Sequence, residues 1–457
     1  MSRDLLTLPC PPAAIALAEY SRDPLGFMTR CAREGELVPL QFEGELFCLL
    51  TNPDHITEVL KDRLRFVKAK DLQMLRGLLG DGLLTSEGDF WQRQRRLSQP
   101  MFHQQRISSY GAVMVDYTQR MLQTWQAGQS LNVHEEMMRL TLDIVMKTIF
   151  DRDVSDGEAS HIAHALDEAM NWFAAQGQMD DRQTWIDRSL NAISQALRSV
   201  GIRHSQSDQR YQSAIKLLDE TVYAMIQQRR SQGIQGDDLL GVLMQVEADD
   251  GSRMSDRQLR DEVATMMLAG HETTANTLAW TWMLLAQHPQ IRVKLKAELD
   301  QVLQGRAAMI ADLSQLPYAH WVIKESMRLY PPVTDVSREA TEDCEIGGYQ
   351  IPRGTTLIMS QWVMHRDARY FAEPEKFHPE RWADDLEKRL PRGGYFPFGD
   401  GARVCIGKSF ALMEAVLILA TIAQRFELSL LPNQSIELQP SITLRPKQGI
   451  QVLLKSV

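Results

Sequence analysis

The chain has 457 residues, room for one large domain or two to three ordinary ones, and its 44% apolar and 24% charged residues are the balance of a globular protein. A net charge of −9 gives no general attraction to nucleic acid. The five cysteines, at 10, 31, 48, 344 and 405, are odd in number, scattered and never spaced CxxC. That argues against a disulfide framework or a zinc site and points to a reducing, cytoplasmic setting.

The N-terminal stretch MSRDLLTLPCPPAAIALAEYSRD holds an apolar segment too short for a signal peptide and broken by Pro9, Pro11 and Pro12, so no membrane anchor is expected there. Residues 36–51, ELVPLQFEGELFCLLT, read as a hairpin turning at Glu43–Gly44. The leucine- and methionine-rich stretch KDLQMLRGLLGDGLL (70–84) is either plain core or the roof of a ligand pocket, with Leu72, Leu75 and Leu78 as candidate lining. In GDFWQRQRRLSQPMF, Trp91 and Arg95 lie one helical turn apart and share a face, whereas Arg93 and Arg96 read as solvated charges. Helical periodicity dominates from Asp89 to about residue 300, as in 134–150 and 212–230. Between these, MNWFAAQGQM (170–179) offers Trp172 and Phe173 to a pocket roof, and RRSQGIQGDD (229–238) reads as a loop.

Ser255 with Gln258 forms a capping-box pattern that opens a helix of some thirty residues, stopped by Pro289. Its run Val263–Gln287 is long enough to span a bilayer. A bilayer would penalise His271, Glu272, Thr273, Thr274 and Asn276 heavily, so the run reads as a core helix. In AGHETTA (269–275), the small Ala269 and Gly270 let a flat group or a small molecule approach the backbone, and Gly270 is expected to distort the helix. Glu272 and Thr273 set an acid and a hydroxyl beside them. The bland reading is a surface face whose threonine bonds back to an upstream carbonyl. The flanking VATMMLAG and NTLAWTWMLLA are too apolar for a surface.

In HWVIKESMRLYPP, Glu325 and Arg328 share a helix face, an arrangement worth only about 0.2–0.5 kcal/mol when exposed. Here Val322, Ile323, Met327 and Leu329 surround the pair, and Pro331–Pro332 ends the helix. Beyond 343 the pattern turns to short strands, with Arg381 in FHPERW (377–382). Then comes YFPFGDGARVCIG (395–407). Gly399, Gly401 and Gly407 allow tight, partly left-handed backbone, and Cys405 stands just before an apolar helix. The helix N-terminus and Arg403 favour the thiolate. A thiolate is a nucleophile or a metal ligand. The window holds no His or Asn base, whereas an axial ligand to haem iron needs only the thiolate, donors to the sulfur and a flat apolar cradle. A buried cysteine beside a turn is the bland alternative. The architecture reads as mainly α with a minority of short β-sheets, one unit over 1–457, with no repeat and no shift in composition.

Phe398, Gly401, Arg403, Cys405 and Gly407 match F-x-x-G-x-R-x-C-x-G without a gap. On that loop the chain resembles the cytochrome P-450 family of haem-thiolate monooxygenases, in a soluble, stand-alone bacterial form. The resemblance runs from about residue 20 to the C-terminus. It implies the family's fold, with haem b (iron protoporphyrin IX) between the long distal helix and the cysteine-loop helix. It implies Cys405 as iron ligand, Phe398 and Gly407 beside the sulfur, and Trp91, Arg95, Arg338 and Arg403 as donors to the haem propionates. Gln94 stands where relatives often have His. Ala269 and Gly270 would lie over the haem, with Glu272 and Thr273 as the acid–alcohol pair that delivers protons. Glu325, Arg328 and Arg381 would form a structural triad, next to Trp382 where many relatives carry Phe.

The implied activity is insertion of one oxygen atom of dioxygen into a small apolar substrate, fatty acyl, terpenoid or similar. Val333, Thr334 and Ala269 are expected near the iron. Because the chain ends soon after its last strands, no fused reductase is expected. Electrons would come from a ferredoxin or flavodoxin with its reductase, docking near Arg93, Arg96 and Lys408. The alternatives are a haem-thiolate peroxygenase or isomerase, which would not need Glu272 and Thr273, and a haem-based sensor, whose usual output domain is not visible.

Overall fold

The computed structural model describes residues 3–42, 44–153, 156–177, 206–231, 233, 238–245 and 253–457. Glu43, residues 178–179 and, in the loop 229–238, residues 232 and 234–237 fall outside the described residues.

Ser255 caps the longest helix, Asp256–Gln287: the Ser255 N–H donates to Gln258 Oε1 at 2.8 Å, and the Gln258 N–H donates to Ser255 Oγ at 3.3 Å. The helix is buried along almost its whole length, as its apolar flanks require, and packs along Val133–Phe150. Its ring Trp280 stacks on Tyr330 with centroids 4.8 Å apart and donates Nε1 to the Leu444 carbonyl at 3.1 Å. The helix stays α-helical through Gly270, so the expected distortion there does not occur. Among the described residues, no helix is long and apolar enough to cross a membrane.

Other helices follow the periodicity closely, with 134–150 observed as Val133–Phe150 and 212–230 as Gln206–Ser231. The helix Lys408–Ala423 follows Cys405 and is almost wholly apolar and buried. A five-stranded sheet lies to one side, in the order Leu37–Phe42, Glu45–Leu50, Thr356–Ser360, Asp335–Ala340, Phe66–Lys68. The expected hairpin 36–51 forms its edge, and the other edge sets Lys68 directly opposite Arg338. A small hairpin, Leu438–Pro440 with Leu444–Pro446, reaches back to the long helix.

The Glu325 carboxylate ties these layers together. It accepts from Arg328 Nε and Nη2, each at 2.9 Å, from Arg381 Nε at 2.8 Å, from the His378 N–H at 3.0 Å and from Trp382 Nε1 at 2.9 Å. Arg328 spends its remaining donors on the carbonyls of His365, Pro374 and Lys376. Both side chains are 0% exposed. A pair buried this deeply survives desolvation only because its lone pairs and protons are satisfied. Trp382 is thus a working member of the network, supplying a hydrogen bond that Phe could not. Trp382→Phe is expected to lower the unfolding free energy of the haem-loaded chain by about 1.5–3 kcal/mol, the worth of a hydrogen bond to a charged group, measured by urea titration. An unchanged midpoint would remove Trp382 from the network.

Candidate active site

The loop carrying Cys405 is folded by its own backbone. The Cys405 N–H donates to the Phe398 carbonyl at 2.9 Å, Gly399 to Phe396 at 2.9 Å, and Val404 to Gly401 at 3.2 Å. Gly399 and Gly401 have φ of +68° and +69°, where glycine is free and other residues are strained. A Cβ on Gly401 would also lie 2.1 Å from the Leu60 carbonyl oxygen. Gly407 differs from expectation. Its φ is −84°, and it serves as the N-terminal flank of Lys408–Ala423.

Cys405 is exposed, but onto a cavity of about 1590 Å³ deep in the fold. Burial pushes the thiol up, against the Gly407 N–H, Arg95 and Lys408, which pull it down. Arg403 is not the cation that acts on the sulfur, contrary to the sequence reading. It turns to the Glu87 carboxylate and donates Nη1 to the Phe66 carbonyl at 3.0 Å.

The same cavity is lined by Ala269, Gly270, Glu272 and Thr273 of the long helix. The Thr273 hydroxyl donates to the Ala269 carbonyl at 2.8 Å, so the back-bond of the bland reading is present, yet the residue faces the cavity. Glu272 is 1% exposed and is bound by Thr443 and by Arg445 Nε, the latter at 2.6 Å. Leu72, Leu75, Val333, Thr334 and Phe173 line the cavity as expected. Leu78 does not: it faces Leu166, Leu218 and Met267 in the packed interior. Trp172 also turns away, stacking on Tyr211 and donating to Asp208.

One wall is crowded with cations. Trp91, Arg95, Arg338 and Arg403 line it together, joined by Lys68, which the sequence reading missed. Arg95 donates Nη1 to the Val404 carbonyl at 2.8 Å, and Arg338 donates Nη1 to the Ser337 carbonyl at 2.8 Å. Lys68 is 6% exposed, with Nζ on the carbonyls of Leu83 at 2.9 Å and Ser86 at 2.8 Å. Burial lowers the Lys68 amine to about 7, and Arg403 and Arg338 add to the fall while Glu87 opposes it. Arg338 falls to about 10, from burial and then from Arg403. Nε of both Arg338 and Arg403 is buried and, among the described residues, has no hydrogen-bond partner. The signal for Lys68 was its place at the end of the short strand Phe66–Lys68, in register with Arg338. Gln94 lies on the same helix as Trp91, fully buried and with neither amide atom bonded. Arg93, read as solvated, is only partly exposed, whereas Arg96 is exposed.

With this geometry in hand, the comparisons place the chain. The family model described as Cytochrome P450 matches residues 9–454. The chain is 32% identical over 443 residues to cyclooctatin synthase of Streptomyces melanosporofaciens, covering 95% of this chain and 92% of that one. It is 32% identical over 419 residues to cyclooctat-9-en-7-ol 5-monooxygenase of the same organism, covering 91% and 87%. The crystal structure of the cytochrome P450DA heme domain matches with a TM-score of 0.85 at 27% identity over 98% of both chains. The chain belongs to the cytochrome P450 family. It is an oxidoreductase of the haem-thiolate monooxygenase class, which works with dioxygen and electron-transfer partners.

The residues present fit a haem. A thiol faces the cavity, the small Ala269 and Gly270 line it too, and the flank holds Lys68, Arg95, Arg338 and Arg403, of which Arg403 pairs with Glu87. Two buried guanidinium Nε atoms there await an acceptor, as propionates would supply. Gly401→Ala is expected to cost about 1–3 kcal/mol of stability through backbone strain, and the collision with Leu60 should displace the loop. Haem retained after gel filtration should fall with it. Full retention at wild-type stability would show that the loop tolerates a side chain there.

Proposed function

We propose that the chain, read as one unit over 1–457, is a haem b monooxygenase that inserts one atom of dioxygen into an apolar, lipid-like substrate, with terpenoids favoured over fatty acyl chains. The observation that supports this is that Cys405 and Ala269, Gly270, Glu272 and Thr273 line one cavity. That cavity exceeds the roughly 300–1,000 Å³ of ordinary ligand pockets, leaving room for a substrate beside the cofactor. The preference for terpenoids leans on the relative whose name makes it a monooxygenase of the cyclic alkenol cyclooctat-9-en-7-ol.

A bound haem would supply dioxygen activation, and the Cys405 sulfur would hold its iron. The chain's own residues do the rest. Trp91, Lys68, Arg95, Arg338 and Arg403 would hold the propionates, and Phe398 and Gly407 would pack beside the sulfur. Ala269 and Gly270 would line the space for the haem. Thr273 gives its hydroxyl proton to the Ala269 carbonyl, so its lone pairs are offered to the cavity, where it accepts a hydrogen bond. Glu272 is the neighbouring acid. Leu72, Leu75, Val333 and Thr334 shape an apolar lining that orients substrate and excludes water.

Electrons would come from a separate ferredoxin or flavodoxin with its reductase, in a cytoplasmic setting. Arg96 is exposed on the helix Gly88–Ser98, and Lys408 is half-exposed beside Glu387. These two, rather than Arg93, mark the docking face. Such encounters are steered by charge and weaken with salt.

The test is turnover under labelled dioxygen with a reduced ferredoxin system, on a panel of terpenoids and fatty acids that first shift the haem spectrum. A product carrying one labelled oxygen atom is expected. Product formed from peroxide alone, and never from dioxygen with reductant, would instead make the protein a peroxygenase. In the same assay Thr273→Ala should keep haem content and substrate binding near normal while diverting reducing equivalents to peroxide. Unchanged product per reducing equivalent would remove Thr273 from proton handling.

A further inference from the structure

Glu272 is clamped. Its Oε1 accepts from the Thr443 hydroxyl and from Arg445 Nε at 2.6 Å, both from the small C-terminal hairpin 438–446. Arg445 turns its other arm, Nη1, to Asp167 Oδ1 at 2.8 Å on the helix Asp156–Gly177. The exposures of the three side chains fall from 47% at Asp167 to 8% at Arg445 and 1% at Glu272, so they form a line from the surface inward. Glu272 Oε2 and Arg445 Nη2 are buried and, among the described residues, have no hydrogen-bond partner. A second arm supports the same carboxylate: His134 Nε2 bonds Asn276 Oδ1 at 2.9 Å, and Asn276 Nδ2 donates to Thr443 at 3.4 Å.

We infer that Arg445 is a positioning residue that holds Glu272 through Oε1 and leaves its buried Oε2 unbonded, and that Asp167 shares Arg445 so that this hold can loosen toward the surface. The inference rests on the reading of Glu272 as the acid that handles protons. Its chemistry is simple. Arg445 donates hydrogen bonds and keeps its proton, so it orients the carboxylate and passes no proton itself. Asp167 competes for the guanidinium from the solvent side and limits how firmly Glu272 is held.

The charged and titratable groups facing Glu272 are Arg445 and Asp167, with His271 on its own helix and His134 on Val133–Phe150. Burial pushes the Glu272 carboxyl up. The charge and hydrogen bond of Arg445 and the hydroxyl of Thr443 more than offset this and bring it below the usual carboxylate range. Burial lowers His271 to about 4, so that ring is neutral and Arg445 is the cation that matters.

The test reads Glu272 directly, by infrared spectroscopy of the haem-loaded full chain in the C=O stretch region of protonated carboxyls, with Glu272→Gln backgrounds to identify its band. As pH falls, that band should appear at a lower pH in Asp167→Asn than in wild type, because Arg445 then belongs to Glu272 alone. It should appear at a higher pH in Arg445→Gln and near the wild-type value in Arg445→Lys. Asp167→Asn lies at the half-exposed end, so it decides the question even if Arg445→Gln does not fold. An unchanged or reversed order overturns the inference. In turnover, Arg445→Gln should raise the share of electrons lost to peroxide severalfold, and Arg445→Lys should restore most of the coupling. A band that moves while this share does not would overturn the role in the reaction. A wild-type chain with no product from any donor would instead overturn the monooxygenase reading, with the order of the bands still standing.

Discussion

Four buried or half-buried cations, Lys68, Arg95, Arg338 and Arg403, face one cavity, and Glu87 pairs with one of them, Arg403. Burial first, and the neighbouring arginines after it, depress Lys68 and Arg338. The contrast with Glu325 is instructive. There two arginines, an indole and a backbone N–H close around one carboxylate, and the arginines' other donors bind backbone carbonyls. At the cavity wall the Nε atoms of Arg338 and Arg403 have no hydrogen-bond partner among the described residues, and an anionic ligand is proposed to supply one. The rest of the structure is arranged to keep that wall rigid. The strand pairing sets Lys68 against Arg338, Arg403 is tied to Phe66, and Arg95 is tied to the cysteine loop at Val404.

Two helices then define the chemistry of the cavity. Lys408–Ala423 carries the loop of Cys405, whose backbone is closed by the bond from Cys405 to Phe398. Asp256–Gln287 lines the same cavity, unbroken at Gly270, with Thr273 committed to the Ala269 carbonyl and Glu272 held by the hairpin 438–446. The hairpin therefore does more than close the fold: it sets the orientation and charge of the acid beside the cavity.

Much of this was legible in the sequence, and the exceptions share a cause. The cysteine loop, the helix 255–287 and the pair Glu325–Arg328 rest on short-range rules of capping, spacing and turn geometry, whereas Arg381, 56 residues from Glu325, came from the family resemblance. Lys68 and Arg445 escaped because their roles come from partners far along the chain, with Arg445 173 residues from Glu272. Leu78 was misplaced because a leucine-rich stretch does not say which side of it meets the cavity and which the packed interior. Arg403 was assigned to the sulfur side by proximity in sequence, but Glu87 offers it a carboxylate that the local window does not contain. Gly270 lies in an unbroken helix, and a Cβ there would come within 3.0 Å of Val145 Cγ2 on the neighbouring helix.

The central claim is that Cys405 is the sulfur under the haem, and the spectrum of the reduced carbonyl complex tests it most directly. The account predicts the strongly red-shifted Soret band of a thiolate-ligated haem in the wild-type chain. It predicts loss of that band in Cys405→Ser, and its retention when Cys10, Cys31, Cys48 or Cys344 is replaced. A red-shifted band that survives in Cys405→Ala would contradict it.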